Sequence, residues 1–266
     1  MPTPFYHLSL AIELLEQTDL VGEASAFLNS YRGEFLFGNT APDVQVISGQ
    51  ARETTHFFTL PIWKNKCTPW QLFKGNYPCL AITASLPPEQ AAFLAGYLCH
   101  LQADWFWVRD IFSPVFGAQS RIGSQEQRLY LHNVLRAYMD YRILKSLDEY
   151  VGPCLKQVNP QDWLPFTGDE HLCAWRDFLS PQLEPGAAIQ TVEVFASRQG
   201  IDPSAFYQVI ESEEDMEYKI FKYVPRKNME IYRRRVMDEN SRLIKSYLTP
   251  QSLSSSSRFV VGARIL

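Results

Sequence analysis

Apolar residues recur at helical spacing along almost the whole chain, and the alternation that marks a half-buried strand is weak throughout. Thr3-Pro4 supplies an N-cap and a first helical position, and Phe5 to Leu15 then carries apolar residues at helical spacing, which predicts a first helix. A second is expected over about 20–32. Between roughly 33 and 88 the chain is dense in Gly, Pro, Asn and Thr, a composition that predicts loops. Ser85-Leu-Pro-Pro-Glu89 opens a long central helix, with its prolines where a first turn tolerates them. A further helix is expected from Ser124 to about Val151, and prolines interrupt 152–190. Two helices fit Gln190–Gln199 and Pro203–Ile210, and one continuous pattern spans about 211–247. The chain therefore reads as all-α, with a main domain over 1–150, an additional helical region over 151–248 packed on it, and a flexible tail over 249–266, where Ser254-Ser-Ser-Ser257 lies.

The central helix carries the first chemical signal. In Gln90-Ala-Ala-Phe-Leu-Ala-Gly-Tyr-Leu-Cys-His-Leu-Gln-Ala-Asp-Trp-Phe-Trp-Val108, His100 and Asp104 stand one turn apart in an otherwise apolar run. Residues at i and i+4 share a helix face, so both are expected in the interior. Unpartnered there, they would cost several kcal/mol, on the order of the penalties for stranded polar groups. A metal ion offsets that cost. Trp105, Phe106 and Trp107 read as core, with a lipid or base pocket as the alternative, and Cys99 reads as packed core.

Composition narrows the class. With 46% hydrophobic residues in 266, a sizeable core is expected. A net charge of −4 argues against electrostatic binding of nucleic acid, and Arg233-Arg-Arg235 reads as a solvated helix face. The amino-terminal segment lacks a basic region followed by an apolar one, and no long apolar run reaches membrane-spanning length. The five cysteines, without CxxC spacing, fit reduced thiols, so a cytoplasmic location is expected.

Three of the five histidines, His7, His56 and His100, lie in short motifs where helices and loops meet. Asp43 closes the loop that begins at Gly38, and Asp104 follows His100. Imidazole nitrogen with carboxylate oxygen suits zinc, whereas calcium and magnesium prefer all-oxygen shells. Each histidine alone has an ordinary reading as a hydrogen-bonded core residue; together with the carboxylates the set points to a metal. Arg52, close to His56, either reaches a phosphate oxygen with its planar fork or forms a buried salt bridge to a loop carboxylate. His171, beside Glu170, reads as surface.

The order Pro4-Phe-Tyr-His7, Phe37-Gly-Asn-Thr-Ala-Pro-Asp43, Arg52-Glu-Thr-Thr-His56-Phe57 and Gly96-Tyr-Leu-Cys-His100-Leu-Gln-Ala-Asp104 resembles the zinc-dependent phospholipase C family, and more distantly the S1/P1 nucleases, over about residues 1–140. The resemblance implies a multi-helix phospholipase C/P1 nuclease-like bundle whose ligands converge between helices on up to three zinc ions. It implies that Asp43, His56, His100 and Asp104 form one site, with Asp104 bridging to a second metal held by His7. Two features depart from it. Secreted members use the mature amino terminus as a ligand, whereas here Met1 precedes His7 without a recognisable signal. Where the family has a further His and a HxxxE pair, this chain has Asp110, His132 and Arg136. Arg cannot ligate a metal. The third site is thus either lost or rebuilt from Asp110, His132 and Asp140, and the positive charge of Arg136 favours its loss, with His132 hydrogen-bonded to a carboxylate instead.

The expected function is a metal-dependent phosphoesterase in which two zinc ions, about 3.5–4 Å apart, activate a water that hydrolyses a phosphodiester or phosphomonoester. Asp43 would orient or deprotonate the water, and Arg52 would hold the phosphate. The substrate is a phospholipid head group or a soluble phosphoester; the sequence shows no strongly basic amphipathic face for anionic membranes. The alternative is a metal-stabilised helical scaffold or interaction module without turnover. An open coordination position separates the two.

Overall fold

A computed structural model describes residues 1–17, 22–144, 146–184, 186–188 and 190–248, so the tail expected over 249–266 lies outside the described residues. Among the described residues the fold is all-α, without a strand. In chain order the helices are α1 (Pro4–Glu16), α2 (Glu23–Ser30), α3 (Arg32–Gly38), α4 (Gln45–Ser48), α5 (Arg52–His56), α6 (Pro69–Asn76), α7 (Pro88–Trp107), α8 (Gln125–Leu144), α9 (Val151–Lys156), α10 (Asp169–Leu179), α11 (Thr191–Gln199), α12 (Pro203–Ile210), α13 (Glu213–Met216) and α14 (Arg226–Leu248). Beyond Trp107 the chain continues as a π-helical segment, Val108–Phe116, with Pro114 inside it.

Local chemistry explains the ends. Thr3 caps α1, its hydroxyl accepting the Tyr6 N–H at 3.2 Å with Pro4 in the first turn. Three expectations need correction. The segment 33–88 is not loop: it holds α3 to α6 and several 3₁₀ turns, because its prolines sit at helix starts rather than breaking helices. The helix expected over 20–32 is interrupted at Tyr31, and α3 begins at once. The pattern over 211–247 is two units, separated where Pro225 precedes α14.

Helix α7 is the axis of the molecule. It is apolar all round and almost wholly buried, as a central helix must be. Helices α3 and α14 pack against it, and α1 lies beside it. Two glycines set the α3–α7 approach: a Cβ on Gly38 would stand 1.9 Å from the Phe93 carbonyl oxygen, and one on Gly96 would stand 2.2 Å from that of Phe35. Only backbone fits there. Residues after 150, among them Leu155, Trp175, Phe206 and Tyr232, join the same buried cluster as those before it.

Candidate metal centre

Four elements bring five donors together. Helix α1 carries His7, the 3₁₀ turn Ala41–Val44 carries Asp43, the last residue of α5 is His56, and α7 carries His100 and Asp104. The chain leaves α5 through Phe57, in the left-handed region at φ 59°, which ends the helix directly after His56. Asp104 sits between the imidazoles: its Oδ1 lies 3.3 Å from His7 Nε2, and its Oδ2 lies 3.4 Å from His56 Nε2 and 3.8 Å from His100 Nε2. His56 Nε2 is also 3.4 Å from Asp43 Oδ1. The rings of His7 and His100 stack at 3.7 Å and 14°. Two donor groups result, His7/His100/Asp104 and Asp43/His56/His100.

The protein holds the ring orientations from behind. His100 Nδ1 meets the Asn39 carbonyl at 2.7 Å, so that nitrogen carries the proton and Nε2 presents a lone pair. The Thr55 hydroxyl donates to the Arg52 carbonyl at 3.2 Å and therefore accepts from His56 Nδ1 at 2.9 Å, which fixes the same tautomer. Tyr97 in turn donates to the Thr55 carbonyl at 2.5 Å. The close approach at Gly96, one turn before His100, is what brings Asn39 within reach of the ring.

These lone pairs point at carboxylate oxygens, an arrangement that repels unless a cation lies between. Both nitrogens of His7, Nε2 of His56 and His100, and Oδ1 of Asp104 are buried without a hydrogen-bond partner. Two ligands each about 2.0–2.1 Å from a tetrahedral zinc stand about 3.3 Å apart, the spacing seen here. Charge states agree with such a role. Burial, reinforced by His7, holds His100 down at about 3, and burial with Arg52 lowers His56, so both rings are neutral, as metal binding requires. Burial pushes the Asp104 and Asp43 carboxyls up, yet the charges around them keep both below the ordinary carboxylate value, Asp104 with the Arg52 guanidinium paired to it. The donor set fits zinc.

Arg52 pairs with Asp104 Oδ2 at 2.5 Å and lies over the Phe58 ring at 4.6 Å. Its carboxylate partner is on the central helix, not in a loop as one sequence alternative had it. Asp43 and Arg52 also line a cavity of about 520 Å³, whose other walls include Val46, Ile47, Trp175, Phe178 and Phe195 together with Arg136. Trp107 and Phe106 are buried core, and Trp105 meets Phe58 edge-on at 5.6 Å.

Asp110 and His132 join neither donor group. Asp110 is held by Arg109 at 2.8 Å and Arg235 at 2.6 Å. His132 accepts from the Trp107 indole at 3.0 Å, so its partner is an indole rather than the expected carboxylate, and the rings of Phe112 and Phe116 close around it. Asp140 accepts hydrogen bonds from the Thr3 and Thr191 hydroxyls. His171 stays on the surface beside Glu170. The sequence reading missed the supporting residues Asn39 and Thr55. Their signal lay within the motifs, as an Asn after Gly38 and a Thr before His56.

Fold and site thus define an all-α protein with a buried His/Asp donor set opening on a cavity. Residues 3–170 match the model of a family described as zinc dependent phospholipase C, more than half of the chain, and the protein belongs to that family of zinc-dependent hydrolases. Comparison with curated proteins and with solved structures gave no match. Among the described residues no helix is long and apolar enough to cross a membrane.

Proposed function

We propose that this hydrolase cleaves a phosphate ester that carries an apolar portion, with a phospholipid as the substrate class the cavity suits best. One observation carries the reading: a single cavity of about 520 Å³ is lined both by Asp43 and Arg52 of the donor set and by the apolar side chains of Val46, Ile47, Trp175 and Phe178. A phosphate seeks the first surface and an acyl chain the second.

In this reading His7, Asp43, His56, His100 and Asp104 would hold two zinc ions. Zinc, when bound, polarises a phosphoryl oxygen and brings a water nucleophile within reach of neutral pH. The chain supplies the rest. Asp43 is the member of the set open to the cavity, with its side chain 17% exposed, and its carboxylate takes the proton from the attacking water. Arg52, braced on Asp104 and Phe58, donates to a phosphate oxygen. The Asn39 carbonyl and Thr55 hydroxyl keep His100 and His56 in the tautomer that presents Nε2.

The test compares two substrates on zinc-loaded protein: a short-chain phosphatidyl ester and a phosphodiester with the same leaving group and no tail. Burial of the chains should raise kcat/KM for the lipid at least about tenfold. Equal values, or a preference for the tail-less ester, would overturn the substrate class.

A further inference from the structure

Arg136 lines the same cavity as Asp43 and Arg52 and has no part in the reaction described above. One of its terminal nitrogens donates to the Met1 carbonyl at 3.2 Å, and the other donates to the side-chain oxygen of Asn133. Its guanidinium lies 4.3 Å from the centre of the Phe195 ring, a stacking that fixes the plane of the fork. None of these partners is an anion, and Nε is buried with no partner at all.

The nearest candidate counter-charge does not serve. Asp140 lies one turn on in α8, but its two oxygens accept from Thr3 and Thr191, and burial pushes its carboxyl up to about 7. Among the described residues no carboxylate forms an ion pair with Arg136. Burial accordingly drags the guanidinium down to about 10. A half-buried guanidinium with a buried, unpartnered Nε and no carboxylate partner is costly, and a protein tolerates one where a ligand supplies the counter-ion.

We propose that Arg136 is an oxyanion-binding residue of the cavity, its guanidinium pairing with charged oxygens of the substrate. The inference rests on the phosphate-ester reading and deepens it. The oxyanion is either the scissile phosphate itself or a second phosphate or carboxylate on the same ester; both offer coplanar charged oxygens to the fork.

Inorganic phosphate is the probe. It is titrated calorimetrically into wild type, Arg136→Gln and Arg136→Lys, each zinc-loaded and metal-free. Arg136→Gln should weaken phosphate binding about tenfold to a hundredfold, with Arg136→Lys in between. Zinc content should stay at the wild-type value, and the thermal midpoint should hold or rise, since an uncompensated charge has been removed. Unchanged phosphate affinity in Arg136→Gln overturns the proposal, as does weaker binding accompanied by lost zinc or a lower midpoint, which marks a structural role. Two esters then separate the sources: a raised KM in Arg136→Gln for a simple phosphodiester places the scissile phosphate on Arg136, and a raised KM only for an ester with a second anionic group places that group there. KM unchanged for both again overturns it. If wild type neither binds zinc nor hydrolyses any ester while Arg136-dependent phosphate binding persists, the hydrolytic reading fails and the anion site stands.

Discussion

Two sets of polar residues that the sequence singled out meet their bonding needs in opposite ways. Around Asp104, three histidines present buried nitrogens with no partner, facing carboxylate oxygens at 3.3–3.8 Å. The other set, His132, Asp140 and Asp110, is satisfied residue by residue from within: His132 by an indole, Asp140 by two hydroxyls, Asp110 by two arginines. Both sets contain histidine and aspartate. What distinguishes a metal centre is unmet bonding capacity held open by supporting residues, because a buried polar group is otherwise paired. The first set has the donors a cation would take, and the second is bonded within the fold.

The comparison is broken most strongly at Asp104. Asp104→Ala removes the group that faces all three imidazoles, and zinc affinity should fall by at least about a hundredfold, with hydrolysis close to background. Arg52→Ala, by contrast, should keep its zinc and lose turnover. Equal metal content in the two purified variants would contradict these roles.

Gly96→Ala attacks the same centre through the backbone. The added Cβ would meet the Phe35 carbonyl and the Asn39 amide, 2.2 and 2.9 Å away, so α3 must move and carry the Asn39 carbonyl off His100. A loss of about 3 kcal/mol in chemical denaturation is expected, together with weakened zinc binding. Wild-type stability and zinc affinity would show that the close approach does not matter.

A finer cut is Thr55→Val, which keeps the side-chain volume and removes the hydroxyl that orders His56. Zinc affinity should drop by about tenfold to a hundredfold, with a loss of about 1–3 kcal/mol in stability from the stranded His56 Nδ1–H. Unaltered affinity would place the tautomer of His56 under other control.

Asp140 of the second set should respond to pH instead of metal. Burial raises the Asp140 carboxyl to about 7, from 3.8 in an exposed setting. Its contribution to stability is full below the unfolded value and is lost as pH rises through about 7. Between pH 5 and pH 8 wild type should therefore lose about 2 kcal/mol relative to Asp140→Asn, whose side chain cannot ionise. Parallel stability profiles for the two proteins would remove this account of Asp140.

The sequence made the helical class legible because the apolar spacing is strong along the chain, and it made the central helix legible because a run so apolar has one place to go. The candidate site was readable for a related reason: His100 and Asp104 are conspicuous inside that run. The short helices between 33 and 88 were not readable, since Gly and Pro mark turns and helix starts alike, and their packing on α7 decides between the two. The fate of His132 was open as well, because its indole partner lies on another helix and nothing in the local sequence announces it.

Zinc content per chain, measured by elemental analysis on wild type, His100→Ala and His132→Ala, tests the central claim most directly. The contrast between the two sets predicts about two zinc ions in wild type and in His132→Ala, and a clear loss in His100→Ala. A zinc ion lost on removing His132 but retained on removing His100 would contradict it.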